Sequence, residues 1–422
     1  MFDRREFLKF TATSAGLIAL PAVAKANVNA WAKGKVVVVG GGYAGATAAK
    51  YLRAWSSGGI DVTVVEPRAQ FISCPLSNLV LGGSKRIEEL TFTYDMLKNN
   101  HGIKWLSDEV LAIDAESKRV RLAQSEIAYD RLIIAPGIDF MYEQLPSLGS
   151  REAQTQVPHA WKAGPQTLRL RRQLEVMRNG GVFVISIPRA PYRCPPGPYE
   201  RACQVAFYLK NYKPKSKIII LDANPEITSK KALFTKVFNE TYAGMIDYRP
   251  NSVVMDVDVA TNTVKTEFET IDADVLNVIP PQRAGKLAQK AGVANVDDRW
   301  CEVDFLTYES KVLPNVHIIG DSVSAALPKS AHMATSQARV CANAILALMS
   351  QQAPDPNPVF ANTCYSFVSD KMAMHVANVY RYDSVKKIMV SAEGGGVSDK
   401  PSELEGSYAQ AWAKNIWSDV LT

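Results

Sequence analysis

Six cysteines give this chain its clearest capacity for redox chemistry. They are Cys74, Cys194, Cys203, Cys301, Cys341 and Cys364. Six thiols can pair in about 15 ways, so their spacing alone selects no disulfide. None of them begins a Cys-x-x-Cys-His motif, the pattern that attaches c-type haem. Any haem that serves this chain must therefore sit on another protein.

The sequence context separates these cysteines from one another. Cys194 lies in a proline-rich turn, which restricts the backbone and can hold a thiol at a fixed point. Cys203 lies on a predicted helix, and Cys341 lies on a helix predicted over residues 338–349, so both are expected in the core. Cys301 follows a tryptophan in a loop-like stretch, and no function is assigned to it.

A glycine-rich turn follows the first predicted strand and forms a candidate dinucleotide site. Residues 35–39 predict a β-strand, and residues 46–55 after the turn predict a helix. Gly40 permits a tight turn, Gly42 lets the backbone approach a pyrophosphate, and Gly45 lets the helix pack on the strand. The free N–H groups at the helix N-terminus favour phosphate binding.

Three further segments extend this pattern, and the second of them separates FAD from NAD. The second predicted strand, residues 61–65, ends at Glu66, which is placed to accept hydrogen bonds from a ribose. Downstream, His317-Ile318-Ile319-Gly320-Asp321 resembles the second FAD fingerprint of flavoproteins with two dinucleotide domains, and Asp321 is expected near the ribityl chain. A short apolar run at residues 132–135 looks like the crossover that leaves such a domain. We therefore predict that the chain binds FAD.

A second βαβ unit lacks the glycine motif. Residues 181–187 and 217–221 predict strands, with a helix predicted over residues 199–211 between them. The turn after the first of these strands, residues 188–198, contains one glycine and several prolines, which have no N–H to offer a phosphate. We interpret this unit as a nucleotide-binding fold that has lost nicotinamide binding, with its turn holding Cys194 above the flavin.

These patterns together predict an α/β flavoprotein with two dinucleotide-binding domains, resembling glutathione reductase. The predicted divisions are a signal peptide at 1–26, a discontinuous FAD-binding domain at 34–150 and 283–350, a second Rossmann-like domain at 151–282, and a C-terminal domain at 351–422. No metal site is predicted.

The N-terminus predicts export. Arg4 and Arg5 begin a charged segment, a modestly apolar stretch follows to Val23, and Ala24-Lys25-Ala26 resembles a cleavage site. This order is similar to a twin-arginine signal, so we predict a periplasmic protein that is mature from Asn27. No other stretch approaches the ~18 apolar residues that cross a bilayer. The net charge is +6, and the +4 left after removing +2 for residues 1–26 is too small to indicate nucleic-acid binding.

Five segments spread over the predicted mature chain carry a more specific pattern. They are residues 71–78 (FISCPLSN), 158–164 (PHAWKAG), 192–202 (YRCPPGPYERA), 279–286 (IPPQRAGK) and 362–366 (NTCYS). In these segments the chain resembles the flavoprotein subunit of flavocytochrome c sulfide dehydrogenase. The resemblance implies that Cys74 carries FAD through a thioether, and that Cys194 and Cys364 form a redox-active disulfide beside the flavin. It also implies that Glu200 lies near that disulfide, and that Trp412 lies against the flavin ring in a C-terminal flavin-binding segment.

The resemblance further implies that the chain oxidises sulfide to sulfur or polysulfide and passes electrons to a c-type cytochrome subunit or soluble cytochrome c. Sulfide can attack one sulfur of a disulfide, which leaves a persulfide on one cysteine and frees the other as a thiolate. Glu200 is the candidate proton acceptor, although a glutamate in the first turn of a helix is also an ordinary N-terminal charge. His332, after the Gly-Asp fingerprint, is a weaker candidate for proton handling.

Two other functions stay open at this point. A sulfide:quinone oxidoreductase shares the fold and the cysteine chemistry, but it would need a C-terminus that seats on a membrane. The C-terminal residues form an apolar stripe at helical spacing: Tyr408, Trp412, Ile416 and Val420, with Ala409, Ala413, Trp417 and Leu421. Such a stripe more often packs into a core, and Lys414 is its only cation. A flavin-bearing accessory subunit of a sulfur-oxidising system would bind FAD without turning over sulfide.

Overall fold

The computed structural model describes residues 32–422, and the predicted signal at residues 1–26 lies outside this range. The strands in chain order are β1 (Gly34–Val39), β2 (Ile60–Val65), β3 (Phe71–Ile72), β4 (Thr91–Phe92), β5 (Lys104–Leu106), β6 (Val110–Asp114), β7 (Arg119–Leu122), β8 (Glu126–Ala128), β9 (Arg131–Ile134), β10 (Ile138–Phe140), β11 (Val182–Ile187), β12 (Lys217–Asp222), β13 (Ile246–Arg249), β14 (Val254–Asp258), β15 (Thr263–Thr266), β16 (Thr270–Asp272), β17 (Val275–Val278), β18 (Gln282–Ala284), β19 (Val316–Ile318), β20 (Val359–Phe367), β21 (Ala373–Asp383) and β22 (Ile388–Val397).

Helices connect these strands and cover the sheets. In chain order they are α1 (Tyr43–Trp55), α2 (Asn78–Gly82), α3 (Asp95–His101), α4 (Arg151–Gln156), α5 (Pro165–Val176), α6 (Gly197–Tyr212), α7 (Lys231–Lys236), α8 (Lys286–Lys290), α9 (Ala331–Met349) and α10 (Glu403–Leu421).

Strand β1 lies in the middle of a five-stranded parallel sheet with the order β19-β9-β1-β2-β5. Its central residues, Val36, Val37 and Val38, are buried, as expected for a parallel sheet that is covered on both faces. The chain leaves this sheet after β9 and returns to it only at Val316, in β19. The sheet is therefore built from two stretches of chain that lie far apart in sequence.

A second parallel sheet has the order β13-β12-β11-β17. The proline-rich turn follows β11, and helix α6 leads from that turn back to β12. Strands β10 and β18 pair antiparallel where the chain passes from the first sheet to the second and back. The two sheets therefore belong to two βαβ units, as the sequence predicts for an α/β flavoprotein of this kind.

The C-terminal segment is an antiparallel sheet, β20-β21-β22, followed by helix α10. The predicted apolar stripe of α10 packs inward at Ala409, Ala413, Ile416 and Val420, which confirms the core interpretation for these residues. Tyr408 is an exception, because it is 52% exposed. Within residues 32–422, no helix is both long enough and apolar enough to cross a membrane.

Two predicted helix starts were too late by three residues or more. Helix α1 begins at Tyr43 rather than residue 46, so Gly45 lies inside the helix rather than before it. Helix α9 begins at Ala331 rather than residue 338, because Ser330 caps it and its Oγ accepts the Met333 N–H at 3.0 Å. The prediction that Cys203 and Cys341 lie in the core is confirmed, as both are fully buried.

Candidate active site

A cavity of about 530 Å³ lies among the turns of the first sheet, the proline-rich turn of the second and strand β20. Eight of the eleven residues predicted for the site line it: Gly42, Cys74, Cys194, Glu200, Gly320, Asp321, Cys364 and Trp412. The other three, Gly40, Gly45 and Glu66, shape the glycine turn beside it.

The glycine turn between β1 and α1 has no room for a side chain at two of its three predicted glycines. A Cβ on Gly45 would lie 1.8 Å from the Gly40 carbonyl oxygen, and one on Gly40, whose φ is +104°, would lie 2.4 Å from the Ala135 carbonyl oxygen. A Cβ on Gly42 would meet no atom within 4 Å, so this position faces open space. Gly42 also precedes α1 without any side-chain cap, which leaves helix N–H groups for a phosphate.

Glu66 closes this turn from the end of β2. Its Oε2 accepts the Gly41 N–H at 2.8 Å, and its Oε1 accepts the Arg68 Nε–H at 2.9 Å. Burial would raise the pKa of Glu66, but the hydrogen bonds from Arg68 and Gly41 outweigh it and hold the pKa below its usual value. The carboxylate is therefore ionised at neutral pH. Arg68, which lines the cavity, was not singled out in the sequence.

Gly320 and Asp321 form a further part of the cavity wall, just after β19. Gly320 has a φ of +81°, and a Cβ there would lie 3.1 Å from the Ala44 Cβ, so glycine permits the close approach to α1. Within residues 32–422, the Asp321 carboxylate has no hydrogen-bond donor, although it lines the cavity. Burial raises its pKa, and Arg193 and Lys329 oppose that shift. A carboxylate that lines the cavity without a donor from the described residues fits the polar ribityl part of FAD.

Cys74 lies on the short loop between β3 and α2 and lines the cavity. The preceding residue fixes this loop, because the Ser73 Oγ bonds the Tyr43 hydroxyl at 2.7 Å and accepts the Trp417 Nε1–H at 2.9 Å. The C-terminal helix therefore holds the Cys74 loop against helix α1. This arrangement gives the thiol a defined position in the cavity wall.

Cys194 is positioned by the backbone of the proline-rich turn. Its φ is +59°, a left-handed conformation, and its N–H donates to the Lys329 carbonyl at 2.7 Å. The Gly197 N–H donates in turn to the Cys194 carbonyl at 2.9 Å, and a Cβ on Gly197 would lie 2.8 Å from the Cys194 Sγ. The one glycine of this turn therefore makes room for the sulfur rather than for a phosphate. Burial strongly raises the pKa of the Cys194 thiol.

Cys364 reaches the same cavity from β20, where it pairs with Val376 of β21. The Asn362 Nδ2 lies 3.4 Å from its Sγ and can donate to it. Cys194 and Cys364 are 170 residues apart in sequence, yet both line one cavity. Both sulfurs are free thiols in this structure, so the disulfide between them stays a prediction.

Glu200 lies in the first turn of α6, but its carboxylate bonds to other elements. Its Oε2 accepts the Asn78 Nδ2–H at 2.9 Å, and its Oε1 accepts the Phe367 N–H at 2.9 Å. The group is buried, and burial raises its pKa while these hydrogen bonds, Lys230 and Arg201 lower it. A buried carboxyl with a raised pKa near the cysteine pair is suited to proton exchange.

Arg201 is a member of the site that sequence reasoning missed, although it lies in a segment that carried the resemblance. Its guanidinium is buried and bonds only neutral acceptors: the side chains of Asn78 and Asn277, and the carbonyls of His159 and Ala160. Burial lowers its pKa to about 9, and negative charge on Cys194 or Glu200 opposes that shift. Among the described residues, no carboxylate pairs directly with this positive charge.

His332 and Trp412 meet at the end of the cavity near β20. The His332 Nδ1 accepts the Thr363 N–H at 3.0 Å, which leaves Nε2 as the position for a proton. Its ring packs edge-on to Trp412 at 6.1 Å between centroids. Burial lowers the pKa of His332, which favours the neutral ring. The Trp412 side chain is partly buried and presents an aromatic surface to the cavity.

Comparison with known proteins divides the chain into three matching regions. The model "Pyridine nucleotide-disulphide oxidoreductase" matches residues 34–169. The model "Sulfide dehydrogenase [flavocytochrome c] flavoprotein chain, central" matches residues 167–280, and "Flavocytochrome c sulphide dehydrogenase, flavin-binding" matches residues 356–421. A sulfide dehydrogenase flavoprotein chain from Chlorobaculum thiosulfatiphilum is 56% identical over 46 residues, which are 11% of this chain and 94% of that sequence. The chain therefore belongs to the family of flavocytochrome c sulfide dehydrogenase flavoprotein chains.

Other similar proteins share the fold. A mitochondrial sulfide:quinone oxidoreductase from Mus musculus is 26% identical over 345 residues, covering 76% of this chain and 72% of that protein. The structure of the sulfide:quinone oxidoreductase from Aquifex aeolicus superposes with a TM-score of 0.73 at 19% identity, covering 92% of this chain and 91% of that one. These comparisons confirm the predicted two-domain α/β flavoprotein fold.

The matched regions of this chain include most of the cavity wall. The central region contains the proline-rich turn with Cys194 and Glu200, and the flavin-binding region contains Cys364 and Trp412. Cys74 and the glycine turn fall in the general oxidoreductase region. The chemistry of the cavity is therefore assembled from all three.

Proposed function

We propose that this chain is the FAD-dependent subunit that oxidises sulfide at a Cys194–Cys364 pair and delivers the electrons to a c-type cytochrome. The observation that carries the proposal is the convergence of both cysteines on one cavity, whose remaining wall carries both FAD fingerprints. Sulfide oxidation to sulfur or polysulfide needs a sulfur that can accept a nucleophile, and a disulfide supplies one.

Different residues of the chain would hold different parts of FAD. Gly40, Gly42, Gly45 and Glu66 would hold the adenosine and pyrophosphate parts of FAD, and Asp321 would hold the ribityl part. Bound FAD would supply an acceptor that takes two electrons together and releases them singly. We also propose that Cys74 attaches the FAD covalently, since its thiol is held at a fixed point of the cavity wall.

The cysteine step conserves atoms and charge. Hydrosulfide attacks one sulfur of the proposed disulfide, a new sulfur–sulfur bond forms, and the other cysteine leaves as a thiolate with the electron pair of the broken bond. The persulfide then loses its proton, and Glu200 is the proposed acceptor because its buried carboxylate lies beside the pair. Holding both sulfurs in one cavity makes these events intramolecular after the first attack.

The second βαβ unit supports an electron path without nicotinamide. Asp222 ends β12, where a nucleotide-binding protein places a ribose-binding carboxylate. Here its Oδ2 accepts the Tyr199 hydroxyl at 2.7 Å and the Tyr248 hydroxyl at 3.0 Å, while its Oδ1 accepts the Asn224 Nδ2–H at 2.7 Å. The carboxylate is fully buried and satisfied by its own domain, so it is not free to bind a ribose.

An anaerobic titration with sulfide tests the function directly. The purified chain should lose its flavin absorbance on adding sulfide and regain it on adding oxidised cytochrome c, which should be reduced in turn. Recovery with a soluble quinone but not with cytochrome c would favour a sulfide:quinone oxidoreductase. Absence of bleaching would favour an accessory subunit and would refute the proposal.

We further propose that the chain acts in the periplasm, after export through its paired arginines. Replacing Arg4 and Arg5 together by Lys should leave flavin-loaded precursor in the cytoplasm, because the twin-arginine pair is the recognised feature of the signal. Fractionation and immunoblotting would measure this. A normal periplasmic yield of the double variant would contradict the export proposal.

A further inference from the structure

A buried lysine contacts the backbone of Cys364 and takes no part in the chemistry described so far. Lys230 precedes helix α7 with a left-handed φ of +54°, and only 8% of it is exposed. Its Nζ donates to the Cys364 carbonyl at 3.1 Å. Cys364 itself lines the cavity, whereas Lys230 does not. Lys230 therefore contacts the backbone that carries one of the two sulfurs.

The ammonium of Lys230 is incompletely paired. Within residues 32–422, no carboxylate oxygen lies within 4.0 Å of its Nζ, and its single hydrogen-bond acceptor is the Cys364 carbonyl. Its other neighbour is the face of Phe234, at 5.9 Å from the ring centroid. An ammonium has three donors, so two remain for a further acceptor. A buried cation in this state is costly unless negative charge appears near it.

The groups that face Lys230 can supply that negative charge. They are Cys364 on β20, Cys194 on the proline-rich turn and Glu200 on α6. Burial lowers the pKa of Lys230, and negative charge on any of the three raises it again. In return, Lys230 and Arg193 lower the pKa of Cys194, while Cys364 and Glu200 raise it.

Two more groups complete the electrostatic surroundings of the pair. Tyr380 faces Cys364 from β21, and Arg201 faces Cys194 from α6. Arg201 is held by four neutral acceptors, whereas Lys230 keeps two free donors. Lys230 is therefore better able than Arg201 to respond when charge develops on the sulfurs.

Negative charge must develop there if the pair reacts as a disulfide. Hydrosulfide brings one negative charge, and breaking the sulfur–sulfur bond transfers that charge to the departing cysteine as a thiolate. The persulfide on the other cysteine becomes a second anion when it loses its proton. Both cysteines are half-buried, so these anions would be only partly solvated and a nearby cation would stabilise them.

We propose that Lys230 is a positioning residue that holds the negative charge of the Cys194–Cys364 pair when its sulfur–sulfur bond opens. The proposal rests on the proposed function for its catalytic meaning, but the electrostatic effect on the thiols is measurable without turnover.

The first test measures the thiol itself. In a Cys194→Ser background, the rate of Cys364 alkylation by iodoacetamide is followed against pH, with the site located by mass spectrometry. Replacing Lys230 by Met should raise the pH midpoint by at least about one unit, because an opposite charge nearby lowers a thiol pKa by about 1–3 units. Lys230→Arg should keep most of the original midpoint. An unchanged midpoint in the Met variant would overturn the proposal.

Matched variants separate charge from structure. Lys231→Met removes the adjacent lysine, whose side chain is 59% exposed and pairs with Glu226, and should leave the midpoint unchanged. Lys230→Gln provides a second neutral variant if the Met variant has a reduced flavin content or melting temperature. If Lys230 were only structural, the neutral variants would melt earlier while the alkylation midpoint stayed the same.

The second test measures sulfide-driven flavin bleaching by anaerobic stopped flow. Lys230→Met should slow bleaching at least about 10-fold at neutral pH, and Lys230→Arg should slow it less. Bleaching at the wild-type rate in a neutral variant would refute the proposal. If the wild type itself is not bleached, the proposed function fails, whereas the alkylation midpoint still reports on Lys230.

Discussion

The two βαβ units of this chain share a backbone plan and differ at one turn. In the first, β1 pairs in parallel with β2 and the connecting turn contains Gly40, Gly42 and Gly45. In the second, β11 pairs in parallel with β12 over the same length of six residues, but the turn is rich in proline. The open position at Gly42 leaves room for a phosphate, whereas Gly197 leaves room for the Cys194 sulfur. The fold fixes where a turn lies, and the residues of the turn decide what it holds.

The acidic residues that end the second strand of each unit differ in the same way. Glu66 bonds the glycine turn and Arg68 at the edge of the cavity, and its pKa lies below the usual value. Asp222 is enclosed by hydroxyl and amide donors from its own domain, and burial raises its pKa above the usual value. Glu66 therefore lies at the edge of the proposed FAD site, whereas Asp222 is buried within its own domain.

The largest effect is expected at the turn that holds sulfur. Cys194→Ser and Cys364→Ser should each lower the rate of sulfide-driven flavin bleaching by about 1,000-fold or more, because each removes one half of the reacting pair. Flavin content should stay near normal, since neither residue belongs to an FAD fingerprint. Anaerobic bleaching and flavin absorbance per protein measure both quantities.

A structural disulfide would give a different result for the same variants. Its removal would lower the free energy of unfolding by ~2–5 kcal/mol, while turnover per folded molecule would be largely preserved. A melting curve recorded beside the bleaching assay separates the cases. Near-normal bleaching in either folded variant would exclude the proposed cysteine chemistry.

The next effect is expected at the turn that holds phosphate. Gly42→Val should lower flavin content by about 10-fold or more, equivalent to ~1.4 kcal/mol of binding free energy, because the new side chain fills space left open in the folded chain. Since no protein atom lies within 4 Å of its Cβ position, the melting temperature of the apoprotein should change little. Gly396→Val, which also has open space around its Cβ, is the matched control. Full flavin loading in the Gly42 variant would show that the turn does not approach the cofactor.

Replacing Cys74 tests whether the first βαβ unit holds FAD through a covalent bond. Wild-type flavin should stay with the protein after acid precipitation, whereas Cys74→Ser should release it to the supernatant and still bind it before denaturation. The physical reason is that the glycine turn, Glu66 and Asp321 can hold FAD without a covalent bond. Absorbance of pellet and supernatant measures this, and extractable flavin in the wild type would rule out covalent attachment.

Sequence reasoning located the parts of the site that depend on local spacing. The glycine turn, Glu66 at the end of β2 and Asp321 after β19 follow from strand-turn-helix patterns, in which chemistry and geometry are encoded within a few residues. The proline-rich turn was recognisable for the same reason, because proline and glycine act on the backbone directly. Helix starts were less accurate, since the cap at Ser330 lies outside the apolar pattern.

Residues whose roles depend on distant contacts could not be found in this way. Lys230 reaches a carbonyl 134 residues away, and no local pattern marks it as different from other lysines. Arg201 acquires its role from acceptors on three separate segments of the chain. The meeting of Cys194 with Cys364 likewise needed a family resemblance, because nothing in the sequence near either cysteine specifies the other.

The smallest effect is expected when the nicotinamide route is tested. NADH and NADPH should cause no saturable flavin bleaching, and sulfide added afterwards should bleach the same sample. The comparison of the two units gives two reasons, the proline-rich turn and the occupied Asp222, and a double variant separates them.

Replacing Tyr199 and Tyr248 by Phe removes both hydroxyl donors, which should lower the free energy of unfolding by about 1–3 kcal/mol per unsatisfied partner. It should still not permit bleaching by NADH, because freeing the acid does not restore N–H groups to the turn. Saturable bleaching of the double variant at micromolar NADH would instead show that the acid, and not the turn, closes this site.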